Sequence, residues 1–333
     1  MAAAGLEYRN LGRSGLKVSA LSFGVMNFGH VNDLKAATEL VKTAVEGGIN
    51  FFDNAETYGE GQAEVILGQA LKDLGYKRSD LVLSTKIFFG RGHVFGAPKH
   101  ANARGLSRKH IVEGMNDSLA ALQTDYVDVV LAHRPDPETP VEETVRAFNH
   151  VIDKGQAYYW GTSEWSAAQI QEAWDVAQRL DLIGPIVEQP QYNLLERAKV
   201  EKEYLPLYDK YGLGLTTWSP LAGGLLTGRY SKASIPEDSR WKTEFFGKFK
   251  DMVFVEEKLD KVDKLKPIAE ELGVSLAQLS LAWAYKNPHV STILLGGSKP
   301  AQIVDSLQSV AVVEKLTPEV LAKIDAALGT KPE

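Results

Sequence analysis

Short apolar runs rich in β-branched residues alternate with longer segments of helical periodicity along the chain. The apolar runs predict strands at 20–23, 50–53, 81–86, 126–131, 157–161, 186–188, 214–217 and 292–295. The segments between them predict helices at 34–46, 63–74, 107–122, 141–154, 167–179 and 200–211. Parallel strands need such crossover helices, and eight strand–helix units close readily into a barrel. The pattern therefore predicts an α/β fold of the (β/α)8 TIM barrel type.

Two segments depart from this regular alternation. Runs at 6–8 and 16–18, joined by a glycine-bounded turn at 12–15, predict a β-hairpin that covers the barrel floor. Between the last two predicted strands the chain is much longer and contains a loop, an aromatic-basic stretch and two further helical patterns. We interpret this interval as an elaborated loop at the C-terminal face. The whole chain, 1–333, is therefore predicted to be a single domain.

Composition removes several classes of function. The chain has 333 residues, is 44% hydrophobic, carries a net charge of −6 and contains no cysteine. Disulfides and thiolate catalysis are thus excluded, and the absence of a long basic run argues against nucleic acid or an anionic membrane as the main partner. Neither a signal-like N-terminus nor an apolar run of about 20 residues is present. We expect a cytoplasmic protein without membrane insertion.

Polar side chains stand where three successive predicted strands end. Asp53, Lys86 and His133 close or follow strands two, three and four, and Tyr58 lies on the loop after strand two. Active sites of such barrels lie at the C-terminal ends of the strands, and neighbouring strands are about 5 Å apart. Each residue alone has an ordinary explanation as a cap, a surface charge or part of a loop. Together they favour one shared pocket.

The four residue types suit one kind of chemistry. An ammonium within hydrogen-bonding distance of a phenol stabilises the phenolate, so Lys86, held by Asp53, could make Tyr58 a proton donor. His133 could then orient a carbonyl group. The set suits protonation of an oxygen that gains negative charge, as when hydride attacks a carbonyl carbon.

These segments resemble the aldo-keto reductase superfamily over nearly the whole chain. The resemblance is carried by 47–53 (GGINFFD), Tyr58-Gly59, Ser84-Thr-Lys86 and 133–136 (HRPD). Further segments at 104–110, 133–140, 159–163, 217–222 and 294–298 are similar to the branch that contains the β-subunits of voltage-gated potassium channels and their plant and microbial relatives. The resemblance implies a catalytic tetrad of Asp53, Tyr58, Lys86 and His133. Animal channel subunits typically have asparagine at the histidine position, so His133 favours catalysis.

The resemblance also implies an NADPH site. No Gly-x-Gly-x-x-Gly motif follows an early strand, but 295–300 (LGGSKP) fits a phosphate-binding loop before a helix. The implied cofactor contacts are Gly24, Met26, Asp53, Ser163, Gln189, Trp218, Ser219, Pro220, Leu221, Gly223, Arg229, Arg240, Gly296, Ser298, Lys299, Gln302, Asp305 and Ser306.

Within this implied site each group of contacts has its own part. Ser163 and Gln189 would hold the nicotinamide carboxamide, Trp218 would stack on the ring, and 219–223 would follow the pyrophosphate. Arg229 and Arg240 would belong to a belt over the dinucleotide. Ser298, Lys299 and Gln302 would grip the 2′-phosphate, which favours NADPH over NADH, and Asp305 and Ser306 would contact adenine. Glu164 departs from the family pattern of arginine or asparagine.

The substrate side of the site is predicted from loops. The segment 88–105 is longer than the family's usual loop, and Met26, Tyr58, Phe88, His133 and Trp165 are the expected substrate contacts. Their apolar members, with Phe28, would suit an aromatic or medium-chain aldehyde. A surface loop at 88–105 is the alternative.

Three functions remain open at this point. The first is NADPH-dependent reduction of aldehydes or ketones. The second is a regulatory or redox-sensing role as the partner of a potassium channel α-subunit, with a homo-tetramer as one possible assembly. The third, a metal-dependent hydrolase using Asp53, Glu56 and His133, is disfavoured because Lys86 would repel a cation.

Overall fold

A computed structural model describes residues 5–92, 100–231 and 235–332. The strands are β1 (Tyr8–Asn10), β2 (Lys17–Ser19), β3 (Leu21–Gly24), β4 (Phe51–Asp53), β5 (Val82–Ile87), β6 (Val127–Ala132), β7 (Ala157–Ser163), β8 (Val187–Gln189), β9 (Gly214–Thr217) and β10 (Val290–Leu295). The helices are α1 (Leu34–Glu46), α2 (Gln62–Leu74), α3 (Arg108–Leu122), α4 (Val141–Asp153), α5 (Ala167–Arg179), α6 (Leu205–Tyr211), α7 (Glu244–Gly247), α8 (Lys250–Val253), α9 (Glu256–Glu271), α10 (Leu276–Tyr285), α11 (Pro300–Leu307) and α12 (Pro318–Leu328).

Eight parallel strands close into a barrel. They run from β3 to β10 in chain order around the barrel, and β10 pairs with β3 to close it. This confirms the predicted TIM barrel. One predicted helix, 200–211, is instead a π-helical turn at Lys199–Glu203 followed by α6. Pro206 lies in the first turn of α6, where its missing N–H costs nothing, so the helix starts anew there.

The N-terminal hairpin covers the floor of the barrel, as predicted. β1 and β2 pair antiparallel with Tyr8 opposite Ser19, one or two residues later than the sequence pattern indicated. At Gly12 φ is +56°, and an added Cβ would lie 2.4 Å from the Ile186 carbonyl oxygen. Only glycine therefore allows this close approach to the N-terminal ends of β8 and β9.

Strand alternation directs the polar residues inward. Phe51, Val129 and Leu131 belong to the apolar cluster that fills the lower barrel, while their neighbours Phe52 and Val130 pack outward under the helices. Successive side chains point to opposite faces of a strand. The inward series on β4 therefore continues from Phe51 to Asp53, and the series on β6 continues to the residue after the strand, His133.

The long interval between β9 and β10 reaches across the C-terminal face. The Trp241 indole N–H donates to the Gly223 carbonyl at 2.9 Å. Arg240 Nη1 donates to Asn27 Oδ1 at 3.3 Å, and Asn27 Nδ2 donates to the Gly297 carbonyl at 3.3 Å. The interval is thus tied to the loops after β9, β3 and β10, as an elaborated loop over the mouth requires.

The central part of the predicted substrate loop, 93–99, lies outside the described residues. In the parts of the chain that the structure describes, no helix is both long enough and apolar enough to cross a membrane.

Candidate active site

The Lys86 ammonium is the centre of the site. Lys86 is fully buried, and its Nζ donates to Asp53 Oδ2 at 2.6 Å, to the Asn54 carbonyl at 2.7 Å and to the Tyr58 hydroxyl at 3.1 Å. Three donors on one ammonium thus have three acceptors. The arrangement brings together the acid, the phenol and the cation that the sequence placed at separate strand ends.

Charge is retained at this centre despite burial. Burial opposes the charged form of Lys86, but the Asp53 carboxylate and the Tyr58 hydroxyl outweigh it and raise the pKa of Lys86. At His133, burial and then the nearby Lys86 and Arg134 cations hold the pKa well below its usual value. The site therefore contains an ammonium beside a neutral imidazole at neutral pH.

The His133 ring lies between two aromatic rings. Its centroid is 5.8 Å from that of Tyr58 and 5.0 Å from that of Phe89, both in edge-to-face geometry. Phe89 was not among the residues predicted from the sequence, which named its neighbour Phe88. Phe88 is only 8% exposed and belongs to the main apolar core.

Asp53 is held by more than the lysine. Its Oδ1 accepts hydrogen bonds from Ser84 Oγ at 2.8 Å and Gln189 Nε2 at 3.0 Å. The Ser163 hydroxyl donates to the Gln189 carbonyl at 2.9 Å. Two residues expected at the nicotinamide are therefore packed directly behind the pair of Lys86 and Asp53.

The contacts of Glu164 explain how an acid occupies a position where the family pattern has arginine or asparagine. Its backbone is left-handed, with φ +60°, and Oε1 accepts from the Trp218 indole N–H at 2.9 Å and from the Gln191 N–H at 2.6 Å. Oε2 accepts from Lys199 Nζ at 2.7 Å. Burial opposes the carboxylate, but Lys199, Gln191 and Trp218 outweigh it and lower the pKa of Glu164. Glu164 therefore fixes the Trp218 ring, which is expected to stack on the nicotinamide. Lys199 compensates the negative charge of Glu164.

The turn after β9 is tightly folded. Ser219 and Gly223 both have positive φ, at +55° and +68°, and the Gly223 N–H donates to Ser219 Oγ at 3.1 Å. Pro220 is buried and Leu221 is half-buried within this turn. The predicted pyrophosphate segment is therefore one compact turn beside Trp218.

The predicted phosphate loop caps α11. Gln302 Oε1 accepts from the N–H groups of Ser298 at 2.7 Å and Lys299 at 3.1 Å. Ser306 Oγ donates to the Gln302 carbonyl at 2.8 Å, and Asp305 Oδ1 accepts from Gln278 Nε2 at 2.7 Å. The Gln302 side chain thus holds the backbone of residues 298–299 in its turn.

Cations from the loop after β9 and from the loop after β10 converge beside the predicted phosphate loop, at the rim of the mouth. Arg229 Nη2 and Lys299 Nζ approach the two oxygens of Asp238 at 2.6 and 3.2 Å. Arg240 lies between the rings of Trp241 and Phe246, and burial lowers its pKa.

The remaining predicted contacts have different exposures. Gly24 ends β3, and a Cβ there would lie 3.6 Å from the Leu295 carbonyl. Apart from its two chain neighbours, no described residue has an atom within 4 Å of a Cβ built on Gly296. Met26 is 38% exposed, whereas Trp165 is buried in the core. Substrate contact by Phe88 and Trp165 stays a prediction.

Glu56 has a structural role that its sequence position did not reveal. Its Oε1 accepts from the N–H groups of Phe88 at 2.7 Å and Gly90 at 2.8 Å, and lies 3.2 Å from His110 Nε2. The carboxylate therefore anchors the loop after β5. Within the described ranges no group of three or more acidic or histidine side chains is arranged to hold a metal, so Glu56 does not join Asp53 and His133 in one.

Known proteins share this sequence over almost its full length. The profile of the Aldo/keto reductase family matches residues 20–328. A protein from Oryza sativa subsp. japonica named "Probable voltage-gated potassium channel subunit beta" is 57% identical over 329 residues, covering 98% of each chain. An Arabidopsis thaliana protein of the same name is 55% identical over 329 residues, with the same coverage. With this match and the closed barrel, the chain belongs to the aldo/keto reductase family.

Proposed function

We propose that this protein reduces aldehydes or ketones to alcohols with NADPH, using Tyr58 as the proton donor. The observation that carries the proposal is the buried Lys86 ammonium, which touches both Asp53 and the Tyr58 hydroxyl. These two contacts place a cation beside the phenol, which is what a tyrosine needs to act as a proton donor.

NADPH, when bound, supplies hydride to the carbonyl carbon. The Tyr58 hydroxyl gives its proton to the carbonyl oxygen as that oxygen becomes negative, and Lys86 stabilises the phenolate that is left. Asp53 keeps the ammonium charged and in place. His133, neutral at this pH, donates a hydrogen bond to the carbonyl oxygen and orients it. Solvent then returns a proton to Tyr58.

The chain's own residues fit such a cofactor. Buried polar atoms of Asn54, Thr57 and His133, just after β4 and β6, have no hydrogen-bond partner among the described residues. Buried polar groups are nearly always satisfied, so these atoms are suited to a ligand at the mouth. Ser298 and the cations of the rim offer the hydroxyl and charges that a 2′-phosphate requires, which favours NADPH over NADH.

The test follows NADPH oxidation with 4-nitrobenzaldehyde by the absorbance of the reduced nicotinamide, with the alcohol product identified. Tyr58→Phe should lower kcat by about 10²–10⁴-fold, the usual worth of a general acid. Tyr158→Phe is the matched control, because Tyr158 is 48% exposed and packs against Tyr126 near the start of β7. Unchanged turnover in Tyr58→Phe would refute the proposed acid.

A second function is supported by the relatives. Both plant proteins are named as potassium channel β subunits. We propose association with the cytoplasmic part of a channel α-subunit, a cytoplasmic location, and a homo-tetramer as the matching assembly. Association and catalysis can occur in one protein.

Co-purification with a channel's cytoplasmic tetramerisation domain, with the mass of the complex measured by light scattering, tests this second function. A complex of four copies with the domain is expected. A protein that stays monomeric and binds none of the channel domains tested would contradict this second function.

A further inference from the structure

The loop region after β5 is free of acidic residues. Between Asp80 and Glu113, the stretch 81–112 contains no Asp or Glu, although the chain has 43 of them and a net charge of −6. The stretch contains six lysines and arginines: Lys86, Arg91, Lys99, Arg104, Arg108 and Lys109. Its described parts, 81–92 and 100–112, include β5 with Lys86 and the start of α3.

Several of these cations already have structural partners. Lys86 is paired with Asp53, Arg91 with the buried Glu64, and Lys109 with Glu113 one helical turn away. Arg104 differs from them. Its guanidinium carbon lies 5.3 Å from the ring centroids of both Phe88 and Phe89, a cation–π geometry, and the residue is exposed.

A second guanidinium approaches the same ring. Arg134 follows His133 directly, its Nη1 donates to Ser163 Oγ at 3.2 Å, and its guanidinium carbon lies 5.9 Å from the Phe89 centroid. Among the ion pairs formed by the described residues, none includes Arg104 or Arg134. The undescribed segment 93–99 has no acidic residue in its sequence.

The carboxylate closest in sequence to Arg134 belongs to Asp136, and both of its oxygens already accept hydrogen bonds. Asp136 Oδ2 accepts from the Leu106 N–H at 2.7 Å and the Thr139 hydroxyl at 2.8 Å, and Oδ1 accepts from the Glu138 N–H at 3.0 Å. Because these bonds hold Asp136 in its own turn, the carboxylate is directed to its loop and not to the guanidinium groups.

The contacts form an ordered path from the chemistry to the cations. Tyr58 meets His133, His133 meets Phe89, and Phe89 meets both arginines. One aromatic ring therefore separates the reacting end from two guanidinium groups. Guanidinium binds carboxylate through paired, charge-assisted hydrogen bonds.

We propose that the physiological substrates are aldehydes or ketones that carry a carboxylate, with the carbonyl at Tyr58 and His133 and the carboxylate on Arg104 and Arg134. This rests on the proposed reductase function and assigns its substrate class. Phe89 lies between the two polar ends of this proposed site.

The test compares 4-carboxybenzaldehyde with its neutral methyl ester, methyl 4-formylbenzoate, at saturating NADPH. We expect kcat/KM to be about tenfold or more higher for the acid, a difference that shrinks with added salt. Arg104→Gln should remove most of that preference by raising the KM for the acid. Arg108→Gln is the matched control, because it removes an exposed cation of the same stretch outside the path.

The outcomes separate the two proposals. If neither aldehyde is reduced, the reductase function itself fails. If the ester is reduced as well as the acid and Arg104→Gln changes nothing, the reductase function stands and the substrate class is wrong. If Arg104→Gln raises the KM for NADPH equally with both aldehydes, the arginine serves the cofactor, which also overturns this inference.

Discussion

Two regions of the barrel mouth use the same interaction in opposite environments. At the centre, Lys86 and Asp53 form an ion pair with side-chain exposures of 0% and 3%. At the rim, Lys299 and Arg229 share Asp238 with exposures of 61%, 43% and 51%. The central pair is held by donors on β5 and β8 and by the Asn54 carbonyl just after β4, whereas the rim pair joins two exposed loops.

The difference separates residues that are set for chemistry from residues that can exchange partners. A buried pair is unscreened, and removing one member leaves the other charged and desolvated. An exposed pair is worth little, so its cations can leave Asp238 for another anion at small cost. We infer that the centre is organised before ligands arrive and that the rim rearranges around them.

The largest effect should follow removal of the central cation. Lys86→Met leaves the Asp53 carboxylate buried without its partner, and we expect about 3–5 kcal/mol of lost stability together with loss of reductase activity. Lys299→Met is the control, because it removes the same charge from the rim and should change the free energy of unfolding by about 0.5 kcal/mol or less. Equal losses in denaturant titrations of the two variants would contradict the comparison.

A buried acid behind the centre should make stability depend on pH. Burial raises the pKa of Glu188 from 4.5 to about 8; the Thr162 hydroxyl, which donates to it, offsets this only in part. Because the folded state binds a proton that the unfolded state has released, stability should fall from pH 4.5 to about 8 and then level off. The slope contributed by this group is at most about 1.4 kcal/mol per pH unit.

The variant Glu188→Gln isolates this contribution. Its amide mimics the neutral acid, so the difference in unfolding free energy between variant and parent should change with pH over that window only. A constant difference from pH 5 to 8 would show that Glu188 is ionised in the folded protein.

Cofactor choice should depend on the rim. Lys299→Met should raise the KM for NADPH about tenfold and leave the KM for NADH nearly unchanged, because only NADPH carries the 2′-phosphate that Lys299 is expected to bind. Steady-state kinetics with both cofactors checks this. An equal rise for both would place Lys299 away from the 2′-phosphate.

The smallest effect is expected at Glu164. Glu164→Gln keeps an acceptor for the Trp218 indole but loses the charge opposite Lys199, so the KM for NADPH should rise about threefold with kcat preserved. Lys199→Met should reproduce the change. A drop in kcat with an unaltered KM would mean that Glu164 acts on the chemistry and not on the position of the ring.

The sequence was sufficient where a residue's place follows from strand periodicity. Asp53, Lys86 and His133 could be placed because each continues the inward series of its own strand. Tyr58 could be placed because it follows β4 by only five residues. The predicted bounds of the barrel strands agree with the observed ones to within two residues for the same reason.

Contacts between distant segments were beyond that kind of prediction. The bond from Gln189 to Asp53 joins residues 136 positions apart, and that from Trp218 to Glu164 joins residues 54 apart. Phe88 and Phe89 are identical in type, so only the direction of the chain after β5, fixed by the Glu56 carboxylate, determines which ring meets His133.

The most direct test of the central claim is a double-mutant cycle on hydride transfer in a single turnover of NADPH-loaded protein. If Lys86 and Tyr58 act as one unit, the combined Lys86→Met and Tyr58→Phe variant should be no slower than the slower of the two single variants. Losses that multiply would show two independent groups and contradict the account.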